Sequence, residues 1–472
     1  MEQKIIGVLD AVNGSLAYVF LSILVVSAVW FTFRTKGVQF RLIGEMFRVS
    51  LERSDKSQKQ AANEALRKHH KITPMKAFLV GLASRVGTGN LAGVATAIAI
   101  GGPGSIFWMW MMAIVGSVNS FVECTLAQLY KIHGNDSFVG GPAYYISKGL
   151  KKRHFAYLFA GTITLFSFSN NLVQSNTISL AFNHAFGINP WVMAVGLTLL
   201  SLVVIFGGIQ RIASVSSLVV PLMAALYLGL AVMVIVINWR DIPSVFMLII
   251  DNAFGIRQAA GGAVGSAVIM GIKRGLTSNE AGMGSAPNAA AAAHTTHPVK
   301  QGLIETLGVY VDTLVICTCT ALIILCSGVW NSGENGIELT QLALTDHIGP
   351  VGNIIIAVVI FFFAFSSILG NCFYGESNMF FFSRRPAVIL TYRIILGVMV
   401  FVGALATLEI AWGLIDFFVA IMTICNVITL LYLGKYVIRL LNDYLQQRRE
   451  GKNPEFHKSL LPEIADDIEA WE

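Results

Sequence analysis

Apolar runs of about 20 residues recur from one end of this sequence to the other, and they constrain the fold more than any other feature. A helix of that length crosses the hydrocarbon core of a lipid bilayer. Only 13% of the residues are charged, whereas a soluble domain carries about 25%. The runs are continuous and lack the alternation, over segments of about ten residues, that is typical of membrane β-barrels. The sequence therefore predicts an all-α integral membrane protein.

The apolar runs predict about 11 membrane-spanning helices, which we call spans a to k in chain order. The segment after the last span is polar and contains Pro454 and Pro462, so we predict a soluble tail there. The predicted spans are 15–33, 76–100, 105–130, 155–182, 190–207, 214–238, 258–295 (interrupted), 300–328, 350–382, 388–408 and 412–435.

The distribution of Lys and Arg predicts the direction of the spans. These residues concentrate in alternate loops, most densely between spans a and b, whereas 329–349 contains none. Cytoplasmic loops carry such an excess of Lys and Arg. We therefore predict that the N-terminus lies outside and the C-terminus in the cytoplasm of a bacterial inner membrane. The net charge of +6 is spread over loops, so we predict no nucleic-acid partner.

Two of the predicted spans are broken by polar, glycine-rich stretches. In span b the stretch 84–90 separates two apolar halves, and in span g the stretch 273–282 does the same. Glycine, serine and asparagine have low helix propensity, so backbone groups are left unpaired there. Unpaired backbone at membrane depth is tolerated only where it lines a cavity enclosed by protein. Both breaks are therefore candidate parts of a binding site.

The two broken spans occupy matching positions in the chain. Spans b–f and g–k form two sets, and the broken span is the first of each set but runs in the opposite direction. This is the arrangement of an inverted repeat, in which broken helices build the substrate site near the midplane. We therefore predict an N-terminal helix with a basic loop, two five-helix repeats and a tail, at 1–75, 76–257, 258–440 and 441–472.

The break in span b offers groups that suit a zwitterionic ligand. Its second half begins near Gly89, where unpaired N–H groups and the helix dipole favour a carboxylate. Thr88 adds a hydroxyl, and the absence of a side chain at Gly87 allows close approach. We therefore predict substrate contacts at Gly87, Thr88, Gly89 and Asn90.

The end of the first half of span b suits a cation. Its last carbonyls have no partner in the helix, and sodium, like calcium, is a hard cation that takes several oxygen ligands. Two adjacent hydroxyls in span i could complete such a shell, or each could bond back to its own helix. The predicted sodium ligands are Ala83, Val86, Asn90, Ser366 and Ser367.

Spans d and g contain further polar candidates. Asn170 and Gln174 lie one turn apart on span d and share a face that either joins helices or lines the site. In the break of span g the predicted substrate-binding residues are Gly275, Ser278, Asn279 and Glu280.

Acidic side chains at membrane depth are costly and are usually functional or paired. Among them we favour Glu280 for the site region, and a structural pair or an interfacial position is the alternative for the rest. These are Glu123, Asp312, Glu376 and Asp416, and the nearest cationic candidates are Arg85, Lys273 and Arg274.

Several long stretches resemble the alanine or glycine:cation symporter family, among them 86–95, 101–104, 107–110 and 278–285. The resemblance covers nearly the whole chain and implies the leucine-transporter-type fold with one extra N-terminal helix. It also implies sodium- or proton-coupled uptake of alanine or glycine, with substrate contacts at the first break and at Gln174. Many members carry an uncharged residue before Val86, whereas this chain has Arg85, a fixed charge that argues against a second sodium site.

The predicted function is a secondary active symporter that couples sodium entry to the uptake of alanine or glycine. The alternatives are a cation channel and a proton-coupled amino acid carrier. The sequence shows no nucleophile elbow, phosphate loop or metal-ligand cluster, so we predict no enzymatic activity and no organic cofactor. The predicted partners are the amino acid, the co-transported sodium ion and the bilayer.

Overall fold

The computed structural model describes residues 2–52, 72–134, 137–255, 261–406 and 409–471. Two short strands, β1 (Ile132–His133) and β2 (Phe138–Val139), pair antiparallel. Residues 53–71 of the predicted basic loop between spans a and b, the first residues of span g and the last residues of span j lie outside the described residues. The α-helices are α1 (Glu2–Arg34), α2 (Val38–Arg41), α3 (Ile43–Ser50), α4 (Pro74–Arg85), α5 (Val94–Gly101), α6 (Ser105–Leu129), α7 (Pro142–Gly149), α8 (Arg153–Phe186), α9 (Pro190–Ile205), α10 (Gly208–Ile237), α11 (Ile242–Phe254), α12 (Gly261–Asn279), α13 (Pro287–Ala291), α14 (Pro298–Val309), α15 (Thr318–Ser327), α16 (Gly336–Ile348), α17 (Val351–Phe382), α18 (Pro386–Leu405) and α19 (Glu409–Arg449).

The long helices match the predicted spans. In the described part of the chain, seven helices are long and apolar enough to cross a membrane: α1, α6, α10, α14 continued into α15, α17, α18 and α19. Span d is the equally long but more polar α8. The helix of the last span, α19, continues without interruption to Arg449, beyond the predicted end of that span. The helices α2, α3, α7, α11 and α16 lie between the predicted spans and were not predicted.

Several helices begin at a proline that follows a capping side chain. Thr73 accepts a hydrogen bond from the amide of Lys76 at the start of α4, and Asn189 accepts one from Trp191 at the start of α9. A cap satisfies an amide that has no partner in the first turn, and proline has no amide to satisfy at that position. The sequence therefore fixes where these helices start.

The break in span b is present as predicted. The helix α4 ends at Arg85, and the chain re-enters helical structure as a π-helical turn over Gly89–Gly93 that continues into α5. Gly370 on α17 packs against this region, because a Cβ built on it would lie 2.6 Å from Cβ of Ser84. The helix α17 therefore approaches the end of α4 almost backbone to backbone.

The break in span g lies further along the chain than predicted. The helix α12 continues through Asn279, so the predicted start of the break at residue 273 was wrong. The residues that leave the helix are 280–286, and they contain three left-handed backbone conformations, at Glu280 (φ 58°), Gly282 (φ 85°) and Gly284 (φ 89°). Such φ values end a helix. The polar residues before Glu280, from 273 to 279, are compatible with a continuous helix.

The outer surface of the helices is apolar, as a bilayer requires. Large hydrophobic side chains are exposed on α1, α9, α10 and α18, including Phe33 at 77% and Leu218 at 73%. Polar side chains are instead concentrated inside the bundle, where α8 packs along α17. This inversion of the usual pattern of a soluble protein places the polar groups at the centre of the bundle.

The tail after α19 is docked against the rest of the protein. The amide of Phe456 donates to the carbonyl of Thr296 at 2.9 Å, and the indole of Trp471 donates to the carbonyl of Gln128 at 2.8 Å. Leu461 and Ile468 are buried. The predicted soluble tail is thus a folded strap across one end of the bundle.

Candidate functional site

Five oxygen atoms converge where α4 ends against α17. The hydroxyl oxygen of Ser366 lies 3.2 Å from the carbonyl oxygen of Ala83. The hydroxyl oxygen of Ser367 lies 3.0 Å from the carbonyl oxygen of Ala83, 3.1 Å from that of Ser84 and 3.4 Å from that of Val86. All of these residues are buried. The arrangement can hold a hard monovalent cation, which binds carbonyl and hydroxyl oxygens.

Both serine hydroxyls also bond back to their own helix, the alternative that the sequence left open. Ser366 and Ser367 each lie close to the carbonyl of Phe363, at 2.9 Å and 3.1 Å. A hydroxyl has one hydrogen and two lone pairs. When that hydrogen points to the carbonyl of Phe363, the lone pairs face the carbonyls at the end of α4. Back-bonding and cation binding are therefore compatible.

The amides of the first break are held by two neutral amide side chains. The amide of Gly87 donates to Oδ1 of Asn90 at 3.0 Å, and the amide of Thr88 donates to Oε1 of Gln174 at 3.1 Å. A Cβ built on Gly87 would lie 2.2 Å from Oγ of Ser367 and 3.1 Å from Oε1 of Gln174. The structure thus brings together most of the residues predicted around this break.

A chain of side-chain amides connects the first break to the second. Gln174 donates to Oδ1 of Asn170 at 3.2 Å, and Asn170 donates to Oδ1 of Asn371 at 3.3 Å. The hydroxyl of Ser84 lies 3.2 Å from Oδ1 of Asn371 and 3.2 Å from Oε1 of Glu280. The shared face of Asn170 and Gln174 therefore points into the bundle, and it belongs to a polar network that reaches both breaks.

The second break is held by a buried carboxylate from α6. Oε1 of Glu123 accepts from the amide of Gly282, and Oε2 accepts from the amide of Gly284, both at 3.1 Å. Asn426 on α19 donates to the same carboxylate at 2.7 Å. Glu280 itself accepts from Ser285 at 2.6 Å and faces α4. The backbone donors at Gly282 and Gly284 are thus occupied by the protein.

Asp312 contacts Asn90 in the first break, and the sequence did not reveal this contact. It lies on the π-helical turn between α14 and α15, is fully buried, and accepts from Asn90 and Ser278 at 2.7 Å and from Thr313 at 2.9 Å. Among the described residues, no Lys, Arg or His nitrogen lies within 4.0 Å of this carboxylate. The sequence showed only that Asp312 is an acidic residue in span h, which follows the second broken span.

The residues predicted in the break of span g lie in two different environments. Ser278 contacts the first break, since a Cβ built on Gly89 would lie 3.4 Å from its Cα, and Asn279 donates to Thr313 at 3.2 Å. Gly275 lies instead on a regular turn of α12, where an added Cβ would lie 3.4 Å from Cα of Met109 on α6. The predicted unwinding of the helix at Gly275 was wrong.

Two cations near the breaks, the buried Arg85 and the half-buried Lys273, have acidic partners. Arg85 pairs with Glu305 on α14 at 2.9 Å, with both side chains fully buried. Lys273 pairs with Asp416 at 2.6 Å. Glu305 lies near the start of span h and was not among the acidic residues predicted at membrane depth. The charge of Arg85 is therefore neutralised, and it points away from the carbonyls of α4 toward α14.

The sequence model of the sodium:alanine symporter family matches residues 2–458. The chain is 46% identical to the probable sodium/glutamine symporter GlnT of Bacillus subtilis (strain 168), over 100% of this chain and 97% of that protein. It is 35% identical to the sodium/proton-dependent alanine carrier protein of Bacillus sp. (strain PS3), over 82% and 91% of the two chains.

The fold also resembles a solved transporter. The crystal structure of MhsT in complex with L-phenylalanine matches with a TM-score of 0.56 at 13% sequence identity, over 84% of this chain and 92% of that one. At this identity the likeness concerns the fold alone, and it confirms the leucine-transporter-type fold. The chain is a membrane transporter and not an enzyme, and it belongs to the sodium:alanine symporter family.

Proposed function

We propose that this chain is a sodium-coupled symporter that takes up a small neutral amino acid, alanine or glycine, by alternating access between its two five-helix repeats, 76–257 and 258–440. The observation that carries the proposal is the cluster of five oxygen atoms at the end of α4. Its carbonyls come from a helix break and its hydroxyls from α17, which lies in the other repeat. A cation bound there would therefore join the two repeats and stabilise one of their relative arrangements.

The substrate site lies beside the sodium site, at the same break. The amides of Gly87 and Thr88 are donors that suit a carboxylate, and each is held here by a neutral side-chain amide. A neutral hydrogen bond is weaker than one to a carboxylate, so a substrate carboxylate would displace Gln174 from Thr88. The displaced amide would then bind the substrate from the side of α8.

A small substrate is favoured because the space around the break is crowded. Gly87 has no room for even one added carbon atom beside Ser367, and that atom would also lie 3.1 Å from Oε1 of Gln174. The names of the relatives from Bacillus subtilis and Bacillus sp. both include sodium, and the second also includes the proton. Those names differ in the amino acid, so the choice of alanine or glycine rests on the crowding.

The test is uptake into proteoliposomes. Labelled alanine, glycine and glutamine are compared with and without an inward sodium gradient, and with an imposed potential. A zwitterion that enters with one sodium ion carries one net charge, worth about 2.3 kcal/mol at 100 mV. We expect alanine or glycine to accumulate only with sodium and faster when the interior is negative. Equilibration without accumulation would indicate a channel, and preferred uptake of glutamine would contradict the assigned substrate.

A proton-coupled carrier is the second candidate, because Asp312 and Glu280 are buried carboxylates at the two breaks. Either one could bind a proton where no sodium ion is present. An inward proton gradient in sodium-free buffer separates the candidates. Uptake driven by that gradient alone would replace sodium by protons in the proposal, whereas its absence would leave sodium as the coupling ion.

The orientation is part of the proposal. We infer that the N-terminus of α1 lies outside and the docked tail lies in the cytoplasm of the bacterial inner membrane, because Lys and Arg concentrate at the tail's end of the bundle. Labelling of single introduced cysteines at residues 2 and 470 with an impermeant reagent, on intact cells and on inverted vesicles, tests it. Labelling of residue 470 in intact cells would contradict this orientation.

A further inference from the structure

A cleft lies where α1 and α19 leave the apolar part of the bundle together. The ring of Phe31 packs on Gly434, since a Cβ built on that glycine would lie 2.3 Å from the ring. One turn further along each helix, the two separate around a cavity of about 560 Å³. Four cationic side chains line this cavity: Arg34, Lys36, Arg41 and Arg449. We call it the basic cleft.

The chain folds back sharply to complete the basic cleft. Lys36 (φ 55°) and Gly37 (φ 67°) are both left-handed, and the amide of Gly37 donates to the carbonyl of Thr32 at 2.8 Å. A non-glycine residue seldom adopts this conformation. The double turn ends α1 and starts α2, and Arg41 at the end of α2 lines the same cavity as Arg34.

The cations of the basic cleft differ from their neighbours in having no acidic partner among the described residues. Arg48 and Arg448, close by on α3 and α19, both pair with Glu45, at 2.7 Å and 3.1 Å. In the described part of the chain, no carboxylate oxygen lies within 4.0 Å of the cationic nitrogens of the basic cleft. Four like charges around one cavity repel each other unless an anion lies between them.

The wall of the basic cleft continues into a surface suited to lipid. On the last turns of α1, Trp30 is 51% exposed and Phe33 is 77% exposed. The guanidinium of Arg34 lies 5.5 Å from the centroid of the Trp30 ring. Tryptophan side chains such as that of Trp30 lie at the level of the lipid headgroups. An anion held in the cleft therefore lies within reach of acyl chains that would pack along α1.

We infer that the basic cleft binds the headgroup of an anionic phospholipid of the inner leaflet. Basic pockets between membrane helices at the cytoplasmic face bind such headgroups. The phosphodiester lies among the four cations, and the acyl chains lie beside Trp30 and Phe33. The bound lipid joins α1 to the cytoplasmic extension of α19. This site is independent of what the protein transports, and it depends only on the predicted orientation of the chain.

Native mass spectrometry of the purified protein tests this inference. The protein is mixed in detergent with phosphatidylglycerol or with phosphatidylcholine of the same chains, and the retained lipid is counted. We expect preferred retention of phosphatidylglycerol. The triple variant Arg34→Gln, Arg41→Gln and Arg449→Gln should bind it about 100-fold more weakly, since each cation near a membrane surface contributes about fivefold.

The matched control is Lys152→Gln, Arg153→Gln and Arg211→Gln, which removes three exposed cations from the same predicted face without touching the basic cleft. The control should retain the lipid as the wild type does. Retention by the cleft variant at wild-type strength would overturn the inference, and so would equal losses in both variants. Displacement of the lipid by millimolar inorganic phosphate would show that the cleft takes a soluble anion instead. Equal thermal unfolding of the two variants confirms that both are folded.

Discussion

Both broken helices leave backbone groups without partners in the helix, but different kinds of side chain bind these groups in the two breaks. In the first break, backbone groups face hydroxyls and neutral amides, at Ser366, Ser367, Gln174 and Asn90. In the second break, the amides of 282 and 284 are bound by the carboxylate of Glu123. An interruption exposes backbone groups in either case. What decides their use is the side chain that a neighbouring helix supplies.

The two breaks differ in how readily a ligand can replace the side chain that binds their backbone groups. A hydrogen bond between neutral amides contributes about 1 kcal/mol, whereas one to a charged group contributes about 1.5–3 kcal/mol. A substrate carboxylate can therefore displace Gln174 from the first break, but it cannot displace Glu123 from the second. We infer that the first break binds ligands and that the second holds the helices around it in position.

The largest effect is expected from Gly87→Ala in the first break. The added Cβ would lie 2.2 Å from Oγ of Ser367 and 3.1 Å from Oε1 of Gln174, so it disturbs the sodium site and the substrate site together. Overpacking costs about 1–3 kcal/mol at each site, and sodium-driven alanine uptake should fall by about 100-fold or more. Uptake per reconstituted protein molecule measures the effect.

The control for this variant is Gly89→Ala. Its Cβ would lie 3.4 Å from Cα of Ser278, which is ordinary van der Waals contact, so measurable uptake should remain. If both variants retained wild-type uptake, the crowding at the first break would have no functional meaning.

The next effect concerns the cation. Removing both hydroxyls in Ser366→Ala with Ser367→Ala takes away two of the five converging oxygen atoms. At about 1 kcal/mol for each lost ligand, the sodium concentration for half-maximal uptake should rise by about 30-fold. Ser175→Ala is the control, because the hydrogen bonds that this buried hydroxyl makes to described residues stay within its own helix, to Asn171 and Leu172. An unchanged sodium requirement in the double variant would remove the hydroxyls from the sodium site.

The position of a helix break can be predicted from the sequence where it depends on the residues of the break alone. The first break was correctly predicted because glycine, threonine and asparagine at 87–90 disfavour a helix wherever they stand. The second was misplaced because Lys273 and Arg274 looked like breakers, although both have good helix propensity, and Lys273 is neutralised by Asp416. The signal that mattered was the pair of glycines at 282 and 284 with positive φ.

The partners of the breaks could not be predicted from the sequence. Asp312 meets Asn90 across 222 positions of chain, and Arg85 meets Glu305 across 220. No local propensity encodes such contacts, because they result from the packing of helices that lie far apart in the sequence. The predicted residues Gly87, Thr88, Asn90 and Gln174 meet because α8 packs against the first break.

A smaller effect is expected at the edge of the first break, in Gln174→Ala. The side chain holds the amide of Thr88 at 3.1 Å and is itself oriented by Asn170. Loss of one amide contact to a buried ligand costs about 1–2 kcal/mol, so alanine should bind about 5- to 30-fold more weakly at saturating sodium. Binding to purified protein measures this. Unchanged affinity would make Gln174 a residue of helix packing.

The smallest effect on uptake is expected in the second break, where Glu123→Gln tests whether that break only supports the fold. The amide keeps the shape of the carboxylate, but its NH₂ group faces the amide of Gly282 or Gly284 instead of accepting from it. Losing one such bond to a charged group should lower the free energy of unfolding by about 1.5–3 kcal/mol. Thermal unfolding of the purified protein should therefore shift to lower temperature, while the alanine and sodium affinities of the folded fraction stay at wild-type values. The opposite pattern, with unaltered melting and a raised sodium or alanine requirement, would place Glu123 in the binding site. The two breaks would then be functionally equivalent, and the contrast between an exchangeable and a permanently occupied break would have to be given up.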